Sequence, residues 1–496
     1  MSNRIIKGNT CILSVSALLF YGGVSCSNIG EQERPNIILI FTDQQNSEAL
    51  GIAGNKYVRT PNMDRLAQRG IRFTQAYCTS PVSGPSRSSI VTGMMPCEAG
   101  VVYNGDSLKS DVINVGEIFR EAGYNTVWGG KWHLPESYPQ RAAAKPGEKK
   151  IRGFEVLPFY DPEKEPWMLG SETDPPLTDA VTAFLRNYDR KKPLFLAVSY
   201  HNPHDICFHP RKSGWVSEND SLLEIRYYGF KYRLPDPIGI PPNKLRNLPP
   251  LPFNFAISEN EPEFLTEKRL HHESYGLETK LAYTYSDEEW QSYLNAYYRM
   301  TERVDSEIGI LLNAISENGY DKNTVIVFTS DHGDGAAAHK WAAKNNLYDE
   351  SAKVPLFIIY PEKIKKNQVN RNIVTLSDLV PTFCDYASIN TELNFAGKSL
   401  RPVLEGKLSS LHKSVIVELA DYKPDTTRLG RMVRTERFKY NYFTSGKNNE
   451  QFFDLINDPG EMRNLAYDPE FREEIESHRQ ILRDWIRDRG GNMKFE

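Results

Sequence analysis

The sequence predicts an α/β fold: a large doubly wound mixed sheet flanked by helices, and a smaller C-terminal subdomain with an antiparallel sheet and a helix. Continuous apolar runs predict strands buried on both faces, and they span 36–43, 194–201, 324–331 and 354–360. Apolar spacings of three and four predict helices between them, at 112–122, 177–188 and 287–318. Strand and helix alternating over so long a stretch are typical of doubly wound sheets.

A different pattern begins after about residue 390. Segments of alternating apolar and polar residues predict a small antiparallel sheet, with strands at 415–420, 431–434 and 438–443. An amphipathic pattern over 470–489 predicts a helix that closes this sheet. We therefore expect a main domain at 35–390 and a C-terminal subdomain at 391–496.

Residues 206–286 interrupt the regular pattern. They are rich in proline, aromatic and charged residues and show no clean period. Irregular stretches of this length inside a compact domain are usually functional or linker-like. We expect an insertion that lies over the rim of the site and sets specificity. The alternative is a surface excursion that only packs against the domain.

The segment 1–26 has the pattern of a signal peptide. Arg4 and Lys7 precede an apolar run, which small residues follow. The run is too short to remain as a spanning helix, which needs about twenty apolar residues. We expect export to the periplasm of a Gram-negative bacterium and a polar tether at 27–34. Cys26 also resembles a lipoprotein acylation site, in which case the protein is an outer-membrane lipoprotein that contacts the membrane through this lipid alone.

Composition excludes several classes of protein. Of the 496 residues, 40% are hydrophobic and 25% charged, which excludes a largely disordered chain and a polytopic membrane protein. The formal net charge of −4 provides no general basic field, so no nucleic-acid partner is expected and any capture of an anion must be local. The cysteines show no CxxC spacing, which excludes a zinc cluster of that type and leaves disulfide pairing open.

Polar residues follow three of the predicted strands at the point where each strand ends. They are Asp43 and Gln44, the segment from His201 to His204, and Asp331 with His332. Open α/β sheets place their sites at the carboxyl ends of the strands. Three separate strands are therefore expected to deliver metal-binding or proton-transferring groups to one rim.

The stretch Ser83-Gly84-Pro85-Ser86-Arg87 carries a further signal. It would place a serine at a helix N-terminus, where backbone N–H groups favour an anion. Alone, Ser83 could be an ordinary capping serine. With Thr92-Gly93 downstream, however, the stretch resembles the signature of the type I sulfatases, whose first position is Cys or Ser converted to formylglycine. Pro85 and Arg87 match the elements that guide this modification.

Further blocks resemble the same family and occur in the family's order. They are 61–67, 130–133, 202–204, 330–333, and Lys344 with 348–350. The resemblance extends from 34 to 459, which is nearly all of the mature chain. The chain is identified as a member of the formylglycine-dependent sulfatases of the alkaline-phosphatase-like superfamily, similar to bacterial carbohydrate and glycosaminoglycan sulfatases.

The resemblance implies one divalent metal ion beside the modified residue. Its ligands would be Asp43, Gln44, Asp331, His332 and Ser83 as 3-oxoalanine. Many relatives have a second Asp and an Asn where this chain has Gln44 and His332, which leaves two formal carboxylates. Calcium is expected from the resemblance, although imidazole is an unusual partner for it. The alternatives are magnesium, manganese with His332 as a ligand, and His332 standing outside the ligand set.

The remaining family positions handle charge and protons. Three cations resemble those around the sulfate group and the hydrated aldehyde: Arg87, Lys131 and Lys344. By the same resemblance, Lys131, His204 and Lys344 bind substrate. His133 would take a proton during sulfate release, and His204 would donate one to the departing alcohol, a role worth about a hundredfold or more. His339 is a further candidate for substrate binding without a firm family counterpart, and a packing role is its alternative.

A serine rather than a cysteine at position 83 implies a partner. By family resemblance, serine is oxidised to formylglycine by an anaerobic radical-SAM sulfatase-maturing enzyme. We therefore expect a bacterial, anaerobic setting.

The expected function is removal of sulfate from a sulfated carbohydrate, such as a host glycosaminoglycan or a mucin-type glycan. The resemblance implies that one hydroxyl of the hydrated aldehyde attacks sulfur and the other expels sulfate. Aryl or choline sulfates are alternative substrates. A phosphomonoesterase or phosphodiesterase of the same superfamily would use unmodified Ser83 or a Thr, and usually two metals. An inactive glycan-binding lipoprotein is the alternative from a different class.

Overall fold

The computed structural model describes residues 34–134, 151–158, 169–209, 224–227, 230–233, 246–271, 273–274, 277–278, 282–421 and 428–490. The predicted signal peptide, Cys26, the tether up to residue 33 and parts of the predicted insertion lie outside the described residues. Within the described part of the chain, every helix is too short or too polar to cross a membrane.

The described chain alternates strands and helices. The strands are β1 Asn36–Asp43, β2 Ile71–Tyr77, β3 Asn125–Gly130, β4 Glu155–Val156, β5 Leu194–Pro203, β6 Glu224–Tyr227, β7 Phe230–Arg233, β8 Glu273–Ser274, β9 Leu277–Glu278, β10 Thr324–Ser330, β11 Lys353–Ile359, β12 Gln368–Thr375, β13 Ser414–Ala420, β14 Leu429–Thr435, β15 Phe438–Phe443 and β16 Glu450–Asp454. The helices are α1 Pro61–Gln68, α2 Ser83–Thr92, α3 Pro96–Ala99, α4 Val115–Glu121, α5 Gly170–Asn187, α6 Glu263–His271, α7 Asp287–Glu317, α8 Asp349–Ala352, α9 Leu379–Tyr386, α10 Arg401–Leu404 and α11 Arg472–Arg489.

An eight-stranded sheet forms the centre of the main domain, in the order β12-β2-β11-β10-β1-β5-β3-β4. Strand β11 pairs antiparallel with both of its neighbours, and the other pairings are parallel. The sheet is therefore mixed, and the predicted fold class is confirmed.

Alternate side chains of β1 enter two different cores. Ile37 and Leu39 belong to one apolar cluster, while Ile38 and Ile40 belong to another on the opposite face. This two-sided burial explains why the sequence of β1 is continuously apolar and does not alternate between apolar and polar residues. The predicted bounds of 36–43 are those of the observed strand.

Helices cover the faces of the sheet, and their ends follow local capping. Ser286 caps α7 by accepting a hydrogen bond from Glu289, so the helix begins where the sequence predicted. Helix α5 begins at Gly170, seven residues before the predicted start at 177. Its first N–H groups donate to Asp205, which is distant in sequence, and Pro175-Pro176 lie inside the helix. Because prolines usually mark a helix start or a break, the sequence predicted a start after them.

The C-terminal part contains the predicted antiparallel sheet and helix. Strands β13, β14, β15 and β16 pair in sequence order, and α11 packs on β14 and β15. The described end of the predicted insertion packs here as well, since Phe264 of α6 stacks on Phe443 at 4.9 Å between ring centroids. This part of 206–286 therefore packs against the domain, and a role of the insertion in specificity stays a prediction.

Candidate functional site

Strand register brings the predicted polar residues to one rim. Strands β1 and β10 are parallel neighbours, with Thr42 opposite Ser330, so Asp43 and Asp331 leave the sheet side by side. On the other side of β1, Asp43 lies opposite Pro203, which precedes His204. These positions are the carboxyl ends of the strands, where open α/β sheets carry their sites.

Ser83 lies at the first position of α2, a helix whose residues are all buried. Its Oγ is 2.9 Å from Nε2 of His332, and Nζ of Lys344 donates to it at 3.0 Å. The helix is tied to the rim by Ser86, whose hydroxyl donates to the backbone oxygen of Asp331. A buried hydroxyl that contacts both a cation and an imidazole nitrogen stands at the centre of the site.

Arg87 holds the two carboxylates of the rim. Its side chain is 1% exposed, and it donates to Asp331 Oδ2 and to Asp43 Oδ2, each at 2.8 Å. Its remaining N–H groups donate to the backbone oxygen of Lys131 and to Ser199 Oγ. One guanidinium therefore fixes the relative positions of two strand ends.

Asp43 is ionised in this setting although it is fully buried. Burial alone raises the pKa of its carboxyl, but Lys131, His204 and Arg87 outweigh this effect and hold the pKa well below its usual value. Lys131 Nζ lies 2.6 Å from Asp43 Oδ2. The second oxygen, Oδ1, is buried and has no hydrogen-bond partner among the described residues. An ionised oxygen without a donor fits a site for a cation.

His332 has its ring orientation fixed by its own backbone neighbour. Nδ1 lies 2.8 Å from the carbonyl oxygen of Gly333, so the proton is assigned to Nδ1 and the Nε2 lone pair faces Ser83. Nε2 lies 3.6 Å from Asp331 Oδ1 and 3.9 Å from Asp43 Oδ1. Burial lowers the pKa of His332 to about 4, which keeps the ring neutral at neutral pH. A neutral imidazole among two carboxylates fits a metal-ligand set.

Gln44 follows Asp43 in a left-handed conformation with φ of 70°. This uncommon backbone turns its N–H toward Asp331 Oδ1, to which it donates at 3.0 Å. Its side chain is fully buried, and Nε2 donates to Asp334 Oδ2 at 2.8 Å. The backbone of Gln44 therefore contacts Asp331 while its side chain contacts Asp334, and its assignment as a metal ligand stays a prediction.

Partly exposed residues lie around this buried centre. His133 and His204 are half-buried, and Lys131 and Lys344 are buried with 5% and 8% exposure. Burial, and then Lys131, lowers the pKa of both histidines well below its ordinary value. The cluster therefore combines imidazoles with lysine side chains, a combination suited to binding an anion and moving a proton.

His339 lies in a different cluster. Its ring is fully buried and stacks on Tyr348 at 3.7 Å between centroids. Its neighbours there are Glu350 and Glu461. Asn254 donates to Glu350, and Lys439 lies 2.7 Å from Glu461, whereas Glu350 Oε2 and His339 Nδ1 are buried without a hydrogen-bond partner among the described residues. The structure gives His339 no exposed atom to offer a substrate, and its assignment to substrate binding stays a prediction.

Sequence reasoning did not single out several residues that the fold brings to the site. One is Ser199, whose hydroxyl accepts a hydrogen bond from Arg87. Cys207 lies 3.4 Å from the Gln44 amide oxygen, and Asp334 binds its nitrogen. The sequence did single out His201, whose ring lies 5.1 Å from that of His204, whereas the roles of Cys207 and Asp334 follow only from their contacts with Gln44.

Comparisons with known proteins identify the family of this chain. The model of the Sulfatase family matches residues 35–389, and that of the N-sulphoglucosamine sulphohydrolase C-terminal region matches 337–488. A Delta 4,5-hexuronate-2-O-sulfatase of Bacteroides thetaiotaomicron is 32% identical, over 92% of this chain and 89% of its own. An N-acetylglucosamine-6-O-sulfatase of the same bacterium is 28% identical, over 97% and 91%. The solved structure of a 2-O GAG sulfatase aligns with a TM-score of 0.75 at 28% identity, covering 92% of this chain and 93% of that one.

The family generally uses a metal, and the group formed by Asp43, Asp331 and His332 could hold one. Three findings point to the same family: the match over the main domain, the similarity to named sulfatases along nearly the whole chain, and the shared fold. This chain belongs to the sulfatase family, and it is a sulfatase.

Proposed function

We propose that this sulfatase removes a sulfate group from a sulfated sugar of a glycosaminoglycan or mucin-type glycan, with formylglycine made from Ser83. The observation that carries the proposal is the position of Ser83 Oγ between Lys344 and His332, above two buried carboxylates. A plain serine there would be a weak nucleophile. The hydrated aldehyde supplies one hydroxyl for attack on sulfur and a second whose deprotonation releases sulfate.

The names of the relatives support a sugar substrate. One relative is named for a 2-O-sulfated unsaturated hexuronate and another for a 6-O-sulfated N-acetylglucosamine. A structural neighbour is named as a 2-O GAG sulfatase. All three names describe sulfated sugars, and the hexuronate and glucosamine names suggest the first two substrates to test.

We further propose that a divalent cation is held by Asp43, Gln44, Asp331 and His332 together with the modified residue 83. The orphaned oxygen of Asp43 supports this assignment, as does the Nε2 of His332, which lies 3.6 Å from Asp331 Oδ1 and 3.9 Å from Asp43 Oδ1. Such a cation polarises the sulfate oxygens and favours the deprotonated form of the attacking group. Calcium is the first candidate because oxygen donors predominate, and magnesium or manganese is the alternative because one donor is a nitrogen.

The chain's own cations and histidines have distinct parts in this proposal. Lys131 and Lys344 bind the anionic group, while Arg87 holds the carboxylates of Asp43 and Asp331 in place. His133 accepts a proton at the residue-83 position. His204 donates a proton to the departing sugar oxygen, since an alkoxide leaves poorly without one.

The proposal also covers how the enzyme matures and where it is located. The serine at position 83 requires an anaerobic radical-SAM maturing enzyme as partner. The basic and apolar pattern of residues 1–26 supports export to the periplasm, with Cys26 as the lipid attachment point if the protein is an outer-membrane lipoprotein.

The test is expression with and without an anaerobic maturase, followed by mass spectrometry of the Ser83 peptide and assays on sulfated disaccharides. The panel includes 2-O-sulfated unsaturated uronates, 6-O-sulfated glucosamines, an aryl sulfate and a phosphate monoester. We expect loss of two hydrogens at residue 83 and sulfate release only from co-expressed enzyme, with Ser83→Ala inactive. Full activity with plain serine, or turnover of the phosphate monoester alone, would overturn the proposal.

A further inference from the structure

Gln44 differs from a carboxylate ligand in one important respect. Only its oxygen can bind a cation, because the amide NH₂ group carries two donor hydrogens. The two ends of an amide have nearly the same shape, so packing alone does not choose between them. A chain with Gln44 as a ligand needs neighbours that distinguish oxygen from nitrogen.

Asp334 distinguishes them at the nitrogen. Its carboxylate is fully buried and accepts a hydrogen bond from Gln44 Nε2 at 2.8 Å. An ionised carboxylate is only an acceptor, so it cannot make this bond to an amide oxygen. The flipped amide would therefore lose the bond and place two acceptor oxygens against each other.

Cys207 makes the same distinction at the oxygen. Its thiol lies 3.4 Å from Gln44 Oε1 and donates to it. Because an amide oxygen has two lone pairs, one stays available for a cation when the thiol uses the other. Both neighbours of the amide thus favour the same orientation.

Asp334 is itself held rigidly. The Tyr293 hydroxyl lies 2.9 Å from each of its oxygens, and Ala336 N–H donates to Oδ1 at 2.7 Å. Ala343 N–H donates to the Tyr293 oxygen at 2.9 Å, which leaves the hydroxyl hydrogen of Tyr293 for Asp334. The carboxylate is thus satisfied by three fixed donors, counting the Gln44 amide.

We infer that Asp334 is the positioning residue of the cation site: it holds the Gln44 oxygen toward the cation and supplies a third negative charge behind the two carboxylate ligands. Gln44 lacks the negative charge that a carboxylate ligand would have. Asp334 supplies this charge from its position beside the Gln44 amide nitrogen. This inference rests on the proposed cation site and adds a role for a residue that does not itself bind the ion.

The test measures calcium affinity of the mature, full-length enzyme, stripped with a chelator and titrated by calorimetry. Loss of a group that supports a metal ligand typically costs about 10- to 100-fold in metal affinity. We expect a loss of this size for Asp334→Asn, which keeps the shape of the side chain but removes its charge and its strict acceptor character.

The matched control is Asp305→Asn. Asp305 is 2% exposed and accepts hydrogen bonds from Met63 N and Asn62 Nδ2, where α7 packs on α1. This variant loses a buried carboxylate away from Gln44, so it should lower the melting temperature while leaving calcium affinity unchanged. It separates a general loss of stability from an effect on the site.

The double variant Gln44→Asp with Asp334→Asn tests orientation and charge together. It returns the charge to position 44, where either oxygen can bind, and should recover most of the affinity lost in Asp334→Asn. Wild-type affinity in Asp334→Asn, or no recovery in the double variant, would overturn the inference while the cation site stands. Absence of binding of calcium, magnesium and manganese by the wild type would overturn the cation site and the inference together.

Discussion

Arg87→Met removes the cation that separates the two carboxylates of the site. In the structure, Arg87 is 1% exposed and makes four hydrogen bonds of 2.8 Å, two of them to Asp43 and Asp331. Methionine fills a similar space but leaves the carboxylates without their shared partner. The two negative charges then face each other in a buried setting.

The size of the effect follows from what each carboxylate keeps. Removing one partner of a buried ion pair typically costs about 3–5 kcal/mol. Asp43 keeps Lys131 at 2.6 Å, and Asp331 keeps the N–H groups of Gln44 and His332 at Oδ1. Because of these remaining partners, we expect the free energy of unfolding to fall by about 3–5 kcal/mol and not by twice that amount.

Urea unfolding in the presence of a chelator measures this loss, and Arg483→Met provides the control. The Arg483 side chain is 39% exposed and pairs with Glu476 on α11, and exposed pairs of this kind contribute about 0–1 kcal/mol. Calcium should recover part of the Arg87→Met loss, because a cation between the carboxylates reduces their repulsion. Equal loss of stability in the two variants would refute the role given to Arg87.

Three further predictions concern His204 and Lys439. His204→Asn should lower kcat/KM by about a hundredfold or more on a sugar sulfate and far less on an aryl sulfate, whose leaving group needs no proton; equal losses would remove the acid role. Burial and Lys131 hold the pKa of His204 well below 6.5, and its protonated form is the active one. The pH profile of kcat/KM should therefore fall as pH rises through this lowered pKa, and a decline only above pH 7 would contradict the assignment. Lys439 is fully buried between Asp349 and Glu461, so Lys439→Met should cost about 3–5 kcal/mol in thermal or urea unfolding, and wild-type stability would contradict this.

The sequence was most informative where burial is complete. The run that forms β1 is apolar on both faces, and its bounds were predicted to the residue. Two of the strands that sequence reasoning missed, β2 and β12, have weaker patterns, whereas β3 and β16 were missed although they are mostly buried. Strand β12 is exposed over most of its first half because it lies at the edge of the sheet, and β2 has a half-buried, irregular pattern. A strand that is exposed or half-buried carries polar residues at those positions, so no continuous apolar run marks it.

Motif resemblance located the centre of the site, but it could not supply the contacts that define what each residue does. His332 was predicted as a metal ligand with its role open. The bond from its Nδ1 to the Gly333 carbonyl turns the other nitrogen toward Ser83, and a sequence does not show this backbone geometry. Asp334 was missed because its importance depends on Gln44, which lies 290 residues away in the chain. The sequence signal is a pair of features: a glutamine directly after the first metal-binding aspartate, and an aspartate three residues after the second. In other chains this pair would predict the same contact between amide and carboxylate.

The charge balance of the site explains how a protein of net charge −4 can select an anion. Three cationic side chains lie at the site. Lys344 contacts Ser83, Lys131 contacts Asp43, and Arg87 engages the carboxylates of both Asp43 and Asp331. Burial strengthens each of these interactions, because water does not screen them there as it does at the surface. Capture of an anion is therefore local, as the composition required, and it should depend less on salt than binding to an exposed basic patch would.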